Sequence, residues 1–311
     1  MSLAIVVPTR NRPAELAGLL ANLIGQTRRP DRIVVVDSSD GGLAGEIRAI
    51  VAASPLACRY LHHAPPSAAA QRNAGLDVVL SDSDLVALID DDVTLDPDAL
   101  AIVCRQAAAL DPAIIGFGLN PQDEDAGRGH GRIRSSLLAE TLGLYSSRNA
   151  AVAPSGWHTR TLRVGATSEA EWLTSCAVVW RAEAIRDLRF DEYFEAYSYL
   201  EDLDFSLQAR HRGRFVILSD AAYLHAPAKG GRKSRFWFGR IEIRNRHYIV
   251  CKHGLSRWRF WLGAAIRAGM TGAEAATGQR QEFGRLMGNA AEIAAVVGRR
   301  GAPRAPGGGG T

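Results

Sequence analysis

The chain is poor in cysteine and lacks several patterns that mark common protein classes. Its four cysteines stand far apart with no C-x-x-C pair, which fits reduced thiols better than a disulfide framework or a cysteine zinc site: Cys58, Cys104, Cys176 and Cys251. No G-x-G-x-x-G follows an apolar run, so a dinucleotide-dependent oxidoreductase is not indicated. No stretch reaches the roughly 18 apolar residues that a membrane span needs. The start, MSLAIVVPTRNRP, has no basic segment and breaks at Pro8, so it predicts a first strand and not a signal peptide.

Charge is small in total but unevenly spread. The 311 residues carry a formal net charge of +4, and Lys229 to Arg267 holds eleven Lys or Arg against the single acid Glu242. That segment is therefore +10 and the rest of the chain is −6. Charge gathered in one segment indicates a basic surface for an anionic partner.

Strand and helix patterns alternate over the first part of the chain. Short β-branched runs occupy 3–7, 32–36 and 85–89, and a further strand is predicted near 58–61. Between them the spacing predicts a helix with Pro13 in its first turn, a second near 44–53 and a third over about 67–80. This alternation predicts an α/β fold with a doubly wound, mostly parallel sheet. Ligands of such sheets bind beyond the carboxyl ends of the strands.

Three consecutive aspartates follow the strand at 85–89. Asp90 and Asp92, two residues apart, are expected to point together, while Asp91 points elsewhere. Hard carboxylate oxygens suit Mg²⁺ or Mn²⁺, which keep positions open for phosphate oxygens. The alternative is a solvated acidic loop before a helix near Pro97, with Asp96 as its N-cap.

Five motifs in a fixed order carry a resemblance to a known family: VVPTRNRP, VVVDSSDGG, AAAQRNAGL, ALIDDDV and YLEDLDFSLQARHRG. Over roughly 1–228 the chain resembles the inverting family-2 glycosyltransferases of GT-A fold, including the rhamnosyltransferase-like enzymes of bacterial cell-surface polysaccharides. The resemblance implies a nucleotide-sugar donor and a divalent metal, Mn²⁺ or Mg²⁺, held on its diphosphate by an aspartate motif. Ser38 stands where the family usually has a second acidic residue, which leaves the nucleobase open.

The resemblance implies a donor site and a metal site at the strand ends. The residues implied to bind the donor are Pro8, Thr9, Arg10, Asn11, Asp37, Arg72, Asn73, Asp90 and Asp91, and the implied metal ligands are Asp92 and His225. A carboxylate at 37 can accept a nucleobase N–H, and an arginine at 72 can pair with a phosphate or with an aspartate of the acidic loop. The alternatives are an ordinary turn for 8–11 and 37, a solvated helix face for 72 and 73, and a structural histidine at 225.

The last motif is predicted to begin a helix that carries the catalytic base. Ser198 and Glu201 have S-x-x-E spacing, so Glu201 is expected to close a capping box. Asp202 follows in the first turn, where the helix dipole favours the ionised form of a carboxylate. The resemblance places the base at this acidic pair, and Asp202 is the residue chosen, with Glu201 beside the acceptor. The alternative is that Asp202 only interacts favourably with the helix dipole and has no chemical role.

Residues 171–185 resemble the segment that lines the acceptor site. Trp172 and Ser175 are the candidate acceptor-binding residues. The family usually has glycines where Thr174, Ser175 and Cys176 stand, so the shape of the acceptor pocket remains open. Trp172 is also interpretable as a core tryptophan, which is the commoner role of such a residue.

The basic segment interleaves aromatic and apolar residues with its charges. These are Phe236, Trp237, Ile241, Tyr248, Ile249, Trp258 and Trp261. The pattern favours an interfacial helical region on an anionic membrane. Nucleic acid is disfavoured, because no recognised nucleic-acid motif accompanies the patch. The alternative is packing of the aromatics on the catalytic domain with the charges solvated.

The sequence thus predicts a GT-A catalytic domain at 1–228, basic C-terminal helices at 229–297 and a disordered tail at 298–311. Gly-rich 119–165 is expected to form a mobile excursion or lid. The predicted function is metal-assisted transfer of a sugar, with inversion, to a glycan or lipid-linked hydroxyl. The predicted location is cytoplasmic, with contact at the inner face of the membrane. A nucleotidyltransferase remains an alternative, although PTRNRPAE lacks its Gly-rich phosphate loop, as does a non-enzymatic membrane or nucleic-acid adaptor.

Overall fold

A computed structural model describes residues 1–122, 137–194, 198–226, 234–277, 279 and 282–298. These residues form two compact units. The first takes in the described residues of 1–128 and 161–228, and the second those of 129–160 and 229–311. The predicted domain boundary at 228/229 lies outside the described residues, as does the predicted disordered tail at 298–311 except for Gly298, which ends a helix. Both stay predictions.

The helices and strands follow one another along the chain in this order: β1 (Leu3–Thr9), α1 (Pro13–Ile24), β2 (Arg32–Asp37), α2 (Gly41–Ala53), β3 (Cys58–His62), α3 (Ala68–Val79), β4 (Leu85–Ile89), β5 (Val93–Leu95), α4 (Ala99–Ala109), β6 (Ile114–Pro121), α5 (Leu137–Thr141), β7 (Ser168–Ala170), β8 (Ala177–Arg181), α6 (Ala182–Ile185), α7 (Glu201–Ala209), β9 (Arg214–His225), α8 (Arg235–Lys252), α9 (Arg257–Ala276) and α10 (Glu282–Gly298). The four strands and three helices predicted up to residue 89 are all present.

One sheet runs through the first unit in the order β3-β2-β1-β4-β8-β6-β9-β5, with β7 on β9. Strands β3, β2, β1 and β4 are parallel, and β6 is parallel to β9. Because β8 is antiparallel to both β4 and β6, β9 runs in the same direction as β4. The carboxyl ends of β1, β2, β4 and β9 therefore meet at one edge. The predicted α/β class with a mostly parallel sheet is confirmed.

The core of the first unit explains why these strands are so apolar. β1, β2 and β4 are buried along almost their whole length, as strands covered on both faces must be. On α1 the buried residues Leu16, Leu19, Leu20 and Leu23 recur at helical spacing, and Pro13 lies in the first turn as predicted. Polar residues are consequently left to the strand ends.

The N-cap predicted for the helix near Pro97 is wrong. Asp96 was expected to cap a helix near Pro97, but α4 begins at Ala99 after Asp98. The carboxylate of Asp96 instead accepts hydrogen bonds from Gln122 Nε2, at 2.9 and 3.0 Å. A partner distant in sequence has replaced the local capping bond.

The predicted excursion at 119–165 does not form a single loose segment. Its first residues belong to β6, and its described part from 137 to 160 lies in the second unit, where Trp157 is buried. Residues 123–136 lie outside the described part of the chain, so the expectation of a lid is untested there.

The second unit is a helical assembly with charges in its interior. Trp157, Ile243, Val250 and Phe260 form part of its core. Arg285 pairs with the buried carboxylate of Glu242 through two hydrogen bonds of 2.7 and 3.0 Å. Burial alone would raise the pKa of Glu242, but the facing arginines lower it below the ordinary value. The basic segment is therefore not wholly solvated or membrane-facing. No helix in the described ranges is long and apolar enough to span a bilayer.

Candidate active site

The acidic loop is fixed by two later segments of the chain, the one before β8 and the end of β9. Asp90 N donates to Cys176 O at 3.0 Å, which ties the loop to the segment before β8. β5 follows immediately and pairs with β9 in the register Val93↔His225. The predicted metal ligands Asp92 and His225 are thereby brought together.

Asp91 and Asp92 share one arginine. Arg12 Nη1 donates to Asp91 Oδ1 at 3.0 Å and to Asp92 Oδ2 at 3.1 Å, and Thr9 Oγ1 donates to Asp91 Oδ2 at 2.7 Å. Burial raises the pKa of Asp91 to about 6 against the opposing effects of Thr9 and Arg12. The expectation that Asp90 and Asp92 point together while Asp91 points elsewhere is wrong. Arg12 contacts Asp91 and Asp92, whereas Asp90 contacts a different arginine, Arg72.

Asp90 belongs to a second group, centred on Arg72. Arg72 Nη2 donates to Asp90 Oδ1 at 2.8 Å and Nη1 donates to Glu201 Oε1 at 2.9 Å. The arginine is only 4% exposed. Burial disfavours its charge, but Asp90 and Glu201 outweigh this effect and raise its pKa. Of the two partners considered for Arg72 from the sequence, a phosphate and an aspartate of the acidic loop, the structure shows the aspartate, and a role in donor binding stays a prediction.

Arg72 reaches this position because α3 packs closely against the sheet. A Cβ atom at Gly75 would overlap the side chain of Val6 in β1, so only glycine permits this approach. Ser67 caps the helix by accepting from Ala70 N. Small residues in AAAQRNAGL thus place the arginine at the strand ends.

The acidic pair at the start of α7 lies on the same arginine, and the predicted capping box is absent. Leu200, at φ 77°, precedes the helix, while Ser198 Oγ donates to Phe194 O at 2.9 Å. Glu201 therefore serves as a partner of Arg72 and not as a cap. Asp202 accepts from Leu203 N at 2.8 Å.

The ionisation expected for the acidic pair is also corrected. The helix dipole was expected to favour ionised Asp202, but burial raises the pKa of Asp202 and that of Glu201 above their ordinary values. Arg72 opposes the rise in both. A carboxylate with a raised pKa is a stronger proton acceptor when ionised.

The remaining donor-site candidates line the ends of β1 and β2. Asp37 is fully buried, and its carboxylate accepts from Tyr60 Oη at 2.9 Å and from Ser39 N at 2.8 Å. Arg10 and Asn11 contact the exposed Asp40, at 3.3 and 2.9 Å. Pro8 and Thr9 pair with Val36 and Asp37 in the β1–β2 register. The structure therefore gathers 8–11 and 37 at the edge where the triplet lies.

Three candidates have contacts or burial that favour a structural role. The amide of Asn73 is occupied on both sides by Phe190, since Nδ2 donates to Phe190 O at 2.9 Å and Oδ1 accepts from Phe190 N at 2.8 Å. Trp172 is 6% exposed, which favours the core interpretation over a platform for a sugar. Ser175 is buried in the segment next to Asp90.

A divalent cation fits the Asp92–His225 corner. His225 Nε2 lies 3.1 Å from Asp92 Oδ1, and this pair of a hard oxygen and an imidazole suits Mn²⁺. The described residues contain no group of three or more His, Cys, Asp or Glu side chains arranged to hold a metal. A cation here would therefore complete its coordination with diphosphate oxygens and water, as Mg²⁺ and Mn²⁺ commonly do.

Sequence reasoning missed two residues of this site. Arg12 was quoted within VVPTRNRP but given no role, and its place just before α1 at the end of β1 was the available signal. Tyr60 was not singled out; its partner Asp37 lies on the neighbouring strand, in register with His62. The register between β2 and β3, which cannot be read from the sequence, was needed to place Tyr60 beside Asp37.

Comparison with known proteins identifies the family. The model of "Glycosyl transferase family 2" matches residues 4–165, just over half of the chain. A galactofuranosyltransferase, GlfT1, of Mycobacterium tuberculosis is 38% identical over 100 residues, which cover 29% of this chain and 30% of that protein. The match thus spans less than a third of the curated relative.

Solved structures resemble the chain at low sequence identity. TarS 1-349 of S. aureus in complex with UDP-GlcNAc has a TM-score of 0.53 at 16% identity, covering 91% of this chain and 75% of that one. The mannosyltransferase PcManGT of Pyrobaculum calidifontis with GDP-Man and Mn²⁺ has a TM-score of 0.53 at 18% identity, covering 95% and 86%. GalNAc-T7 with UDP, GalNAc and Mn²⁺ has a TM-score of 0.61 at 11% identity, covering 80% and 47%. These likenesses show a shared fold.

Proposed function

The chain belongs to glycosyl transferase family 2, and from this premise we propose that it transfers a sugar from a nucleotide-diphosphate donor to a hydroxyl acceptor with inversion. One observation carries the proposal. Arg72 joins Asp90 of the acidic loop to Glu201 beside Asp202, at 2.8 and 2.9 Å. A group able to take a proton thus lies next to the loop proposed to hold the donor, as a single displacement requires.

Asp202 acts as the general base in this mechanism. It takes the proton of the acceptor hydroxyl, whose oxygen attacks the anomeric carbon on the face opposite the leaving diphosphate. Glu201 is less suited, because its Oε1 accepts from Arg72 at 2.9 Å and is held as an ion pair. Arg72 keeps both acids near the acidic loop and limits their mutual repulsion.

The proposed donor site uses the strand ends. Asp37 and residues 8–11 receive the nucleoside, while Asp90 and Asp91 face its ribose side. Asp92 and His225 would hold a divalent cation, Mn²⁺ or Mg²⁺, which when bound stabilises the charge of the leaving diphosphate. The solved relatives carrying UDP-GlcNAc, or GDP-Man with Mn²⁺, support a donor of this class.

The acceptor is proposed to be a glycan or a lipid-linked glycan of a cell-surface polysaccharide. The similarity to a galactofuranosyltransferase supports this class of product. We further propose peripheral contact with an anionic membrane at the cytoplasmic face, through an apolar patch formed by Leu138, Leu142, Trp258 and Leu262.

The patch is supported by exposure and charge within the second unit. Trp258 and Leu262 lie one turn apart on α9 and are 58% and 41% exposed, and Leu138 of α5 and Leu142 just after it are exposed as well. Ala139 of α5 and Phe260 of α9 belong to one buried cluster, so the two helices lie together, and the Arg259 guanidinium lies over the Trp258 ring at 5.0 Å. Aromatic and aliphatic groups beside arginines suit an anionic lipid interface better than open water.

Binding of the donor tests the proposal. Calorimetry with UDP and GDP, each with Mn²⁺, is expected to detect binding in the wild type and to lose its Mn²⁺ dependence in Asp92→Asn. Mn²⁺ is expected to increase the rise in melting temperature caused by the nucleotide in the wild type but not in Asp92→Asn. Undiminished Mn²⁺-dependent affinity in Asp92→Asn would contradict the assignment. No stabilisation by any nucleoside diphosphate would instead favour the adaptor alternative.

A further inference from the structure

Arg12 occupies one side of the carboxylate that would hold the metal. Its Nη1 lies 3.1 Å from Asp92 Oδ2, while Asp92 Oδ1 lies 3.1 Å from His225 Nε2 on the other side. The same Nη1 also binds Asp91 at 3.0 Å. One permanently charged side chain thus partly neutralises two acids of the loop.

This arrangement has opposite effects on a bare cation and on a nucleotide. A divalent ion at Asp92 would share its carboxylate with a guanidinium, and two positive charges across one carboxylate repel each other. Asp91 and Asp92 are almost fully buried, so solvent screens this repulsion weakly. A diphosphate brings negative charge, to which a guanidinium donates strongly. The Arg12 side chain is 35% exposed and accessible to such a ligand.

We propose that Arg12 is a positioning residue that makes metal and nucleoside diphosphate bind together. It keeps the affinity for the metal alone low and raises the affinity for the nucleotide in the presence of metal. By linkage, each ligand then strengthens the other. The inference deepens the proposed function and rests on it, because it takes the Asp92 corner as the metal site.

The test is a titration of Mn²⁺ into the full chain, once without nucleotide and once with UDP or GDP. Electron paramagnetic resonance measures the free Mn²⁺ at each step. Arg12→Gln is expected to tighten binding of Mn²⁺ alone by about tenfold and to weaken Mn²⁺-dependent nucleotide binding by about tenfold, within the usual range of coupling. A merely structural role would lower both affinities. Arg12→Lys keeps the charge and is expected to keep the coupling.

Arg32→Gln is the matched control. Arg32 has a similarly exposed side chain, 38%, and pairs with Asp82 away from the acidic loop. It is expected to bind Mn²⁺ and nucleotide as the wild type does, and melting temperatures check that each variant is folded.

The outcomes separate the inference from the function on which it rests. Unchanged or weakened binding of Mn²⁺ alone in Arg12→Gln overturns the inference, as does an Arg12→Lys variant that behaves like Arg12→Gln. A wild type that binds neither nucleotide with Mn²⁺ contradicts the proposed donor site itself, whatever Arg12→Gln does to Mn²⁺ alone.

Discussion

Two adjacent acids begin α7, and their contacts divide their roles. Glu201 is held by Arg72 at 2.9 Å, whereas Asp202 accepts from the backbone of Leu203 at 2.8 Å and keeps part of its surface exposed. Burial raises the pKa of both. An acid that is partly exposed and not held in the arginine pair is the better proton acceptor for an incoming hydroxyl.

Asp202→Asn is therefore expected to remove catalysis and leave binding. The amide retains the shape of the side chain and can accept from Leu203 N, but it cannot take up the acceptor's proton. Single-turnover transfer is expected to fall by roughly 10² to 10⁴, while donor affinity measured by calorimetry barely changes. The ionised group is costly in the folded state, so the melting temperature is expected to hold or rise.

Asp204→Asn supplies the control for that change. Asp204 lies in the same helix and accepts from Gln208 Nε2 at 2.8 Å, a bond that asparagine can keep. Transfer is expected to stay close to wild type. Near-normal transfer by Asp202→Asn with a dead Glu201→Gln would assign the base to Glu201 instead.

The raised pKa of Asp202 predicts the pH dependence of transfer. A general base works only when ionised, so kcat/KM is expected to fall as the pH falls through the raised pKa. The acid limb of the profile should thus lie above about 3.9, the ordinary value for aspartate. A profile that stays flat down to that pH would show that no buried carboxylate of this kind acts as the base.

At the scale of elements, α3 positions the arginine that joins the two halves of the site. Gly75 permits its close approach to Val6 of β1. Gly75→Ala is expected to destabilise the protein by about 1–3 kcal/mol through overpacking and to weaken donor binding by moving Arg72. Denaturant unfolding and calorimetry measure the two effects.

Gly18→Ala is the matched control, because a Cβ at Gly18 of α1 meets open space. This change is expected to stabilise the protein by up to about 1 kcal/mol, since alanine favours a helix interior over glycine. If both variants change stability in the same direction, tight packing of α3 is not what Gly75 provides.

The apolar patch on α5 and α9 makes a prediction about membranes. Trp258→Ser combined with Leu262→Ser is expected to reduce co-sedimentation with anionic liposomes at low salt by about tenfold or more, because apolar insertion is lost while the arginines remain. Leu43→Ser, at an exposed position of α2, is the control. Equal recovery of the wild type with neutral and anionic liposomes would remove the membrane proposal.

For the whole molecule, local patterns were sufficient for the early strands and helices and for the strand-end position of the acidic loop. The sequence offered the pairing of Arg72 with that loop as one of several alternatives, and the structure was needed to choose it. Contacts between residues far apart in the sequence could not be predicted from local patterns. The antiparallel pairing of Val93 with His225, and the interior Glu242–Arg285 pair, depend on tertiary packing. The predicted capping box is absent for the same reason, because the carboxylate of Glu201 pairs with the distant Arg72 and not with the backbone of Ser198.

The configuration of the product tests most directly whether this enzyme works by a single displacement with Asp202 as base. The wild type is incubated with UDP- and GDP-sugars and Mn²⁺, and proton NMR follows the first-formed anomer on an added acceptor or on water. A single displacement is expected to give a configuration opposite to that of the donor, and Asp202→Asn is expected to give at most a trace of product. A product that retains the donor's configuration would contradict a single displacement with Asp202 as base.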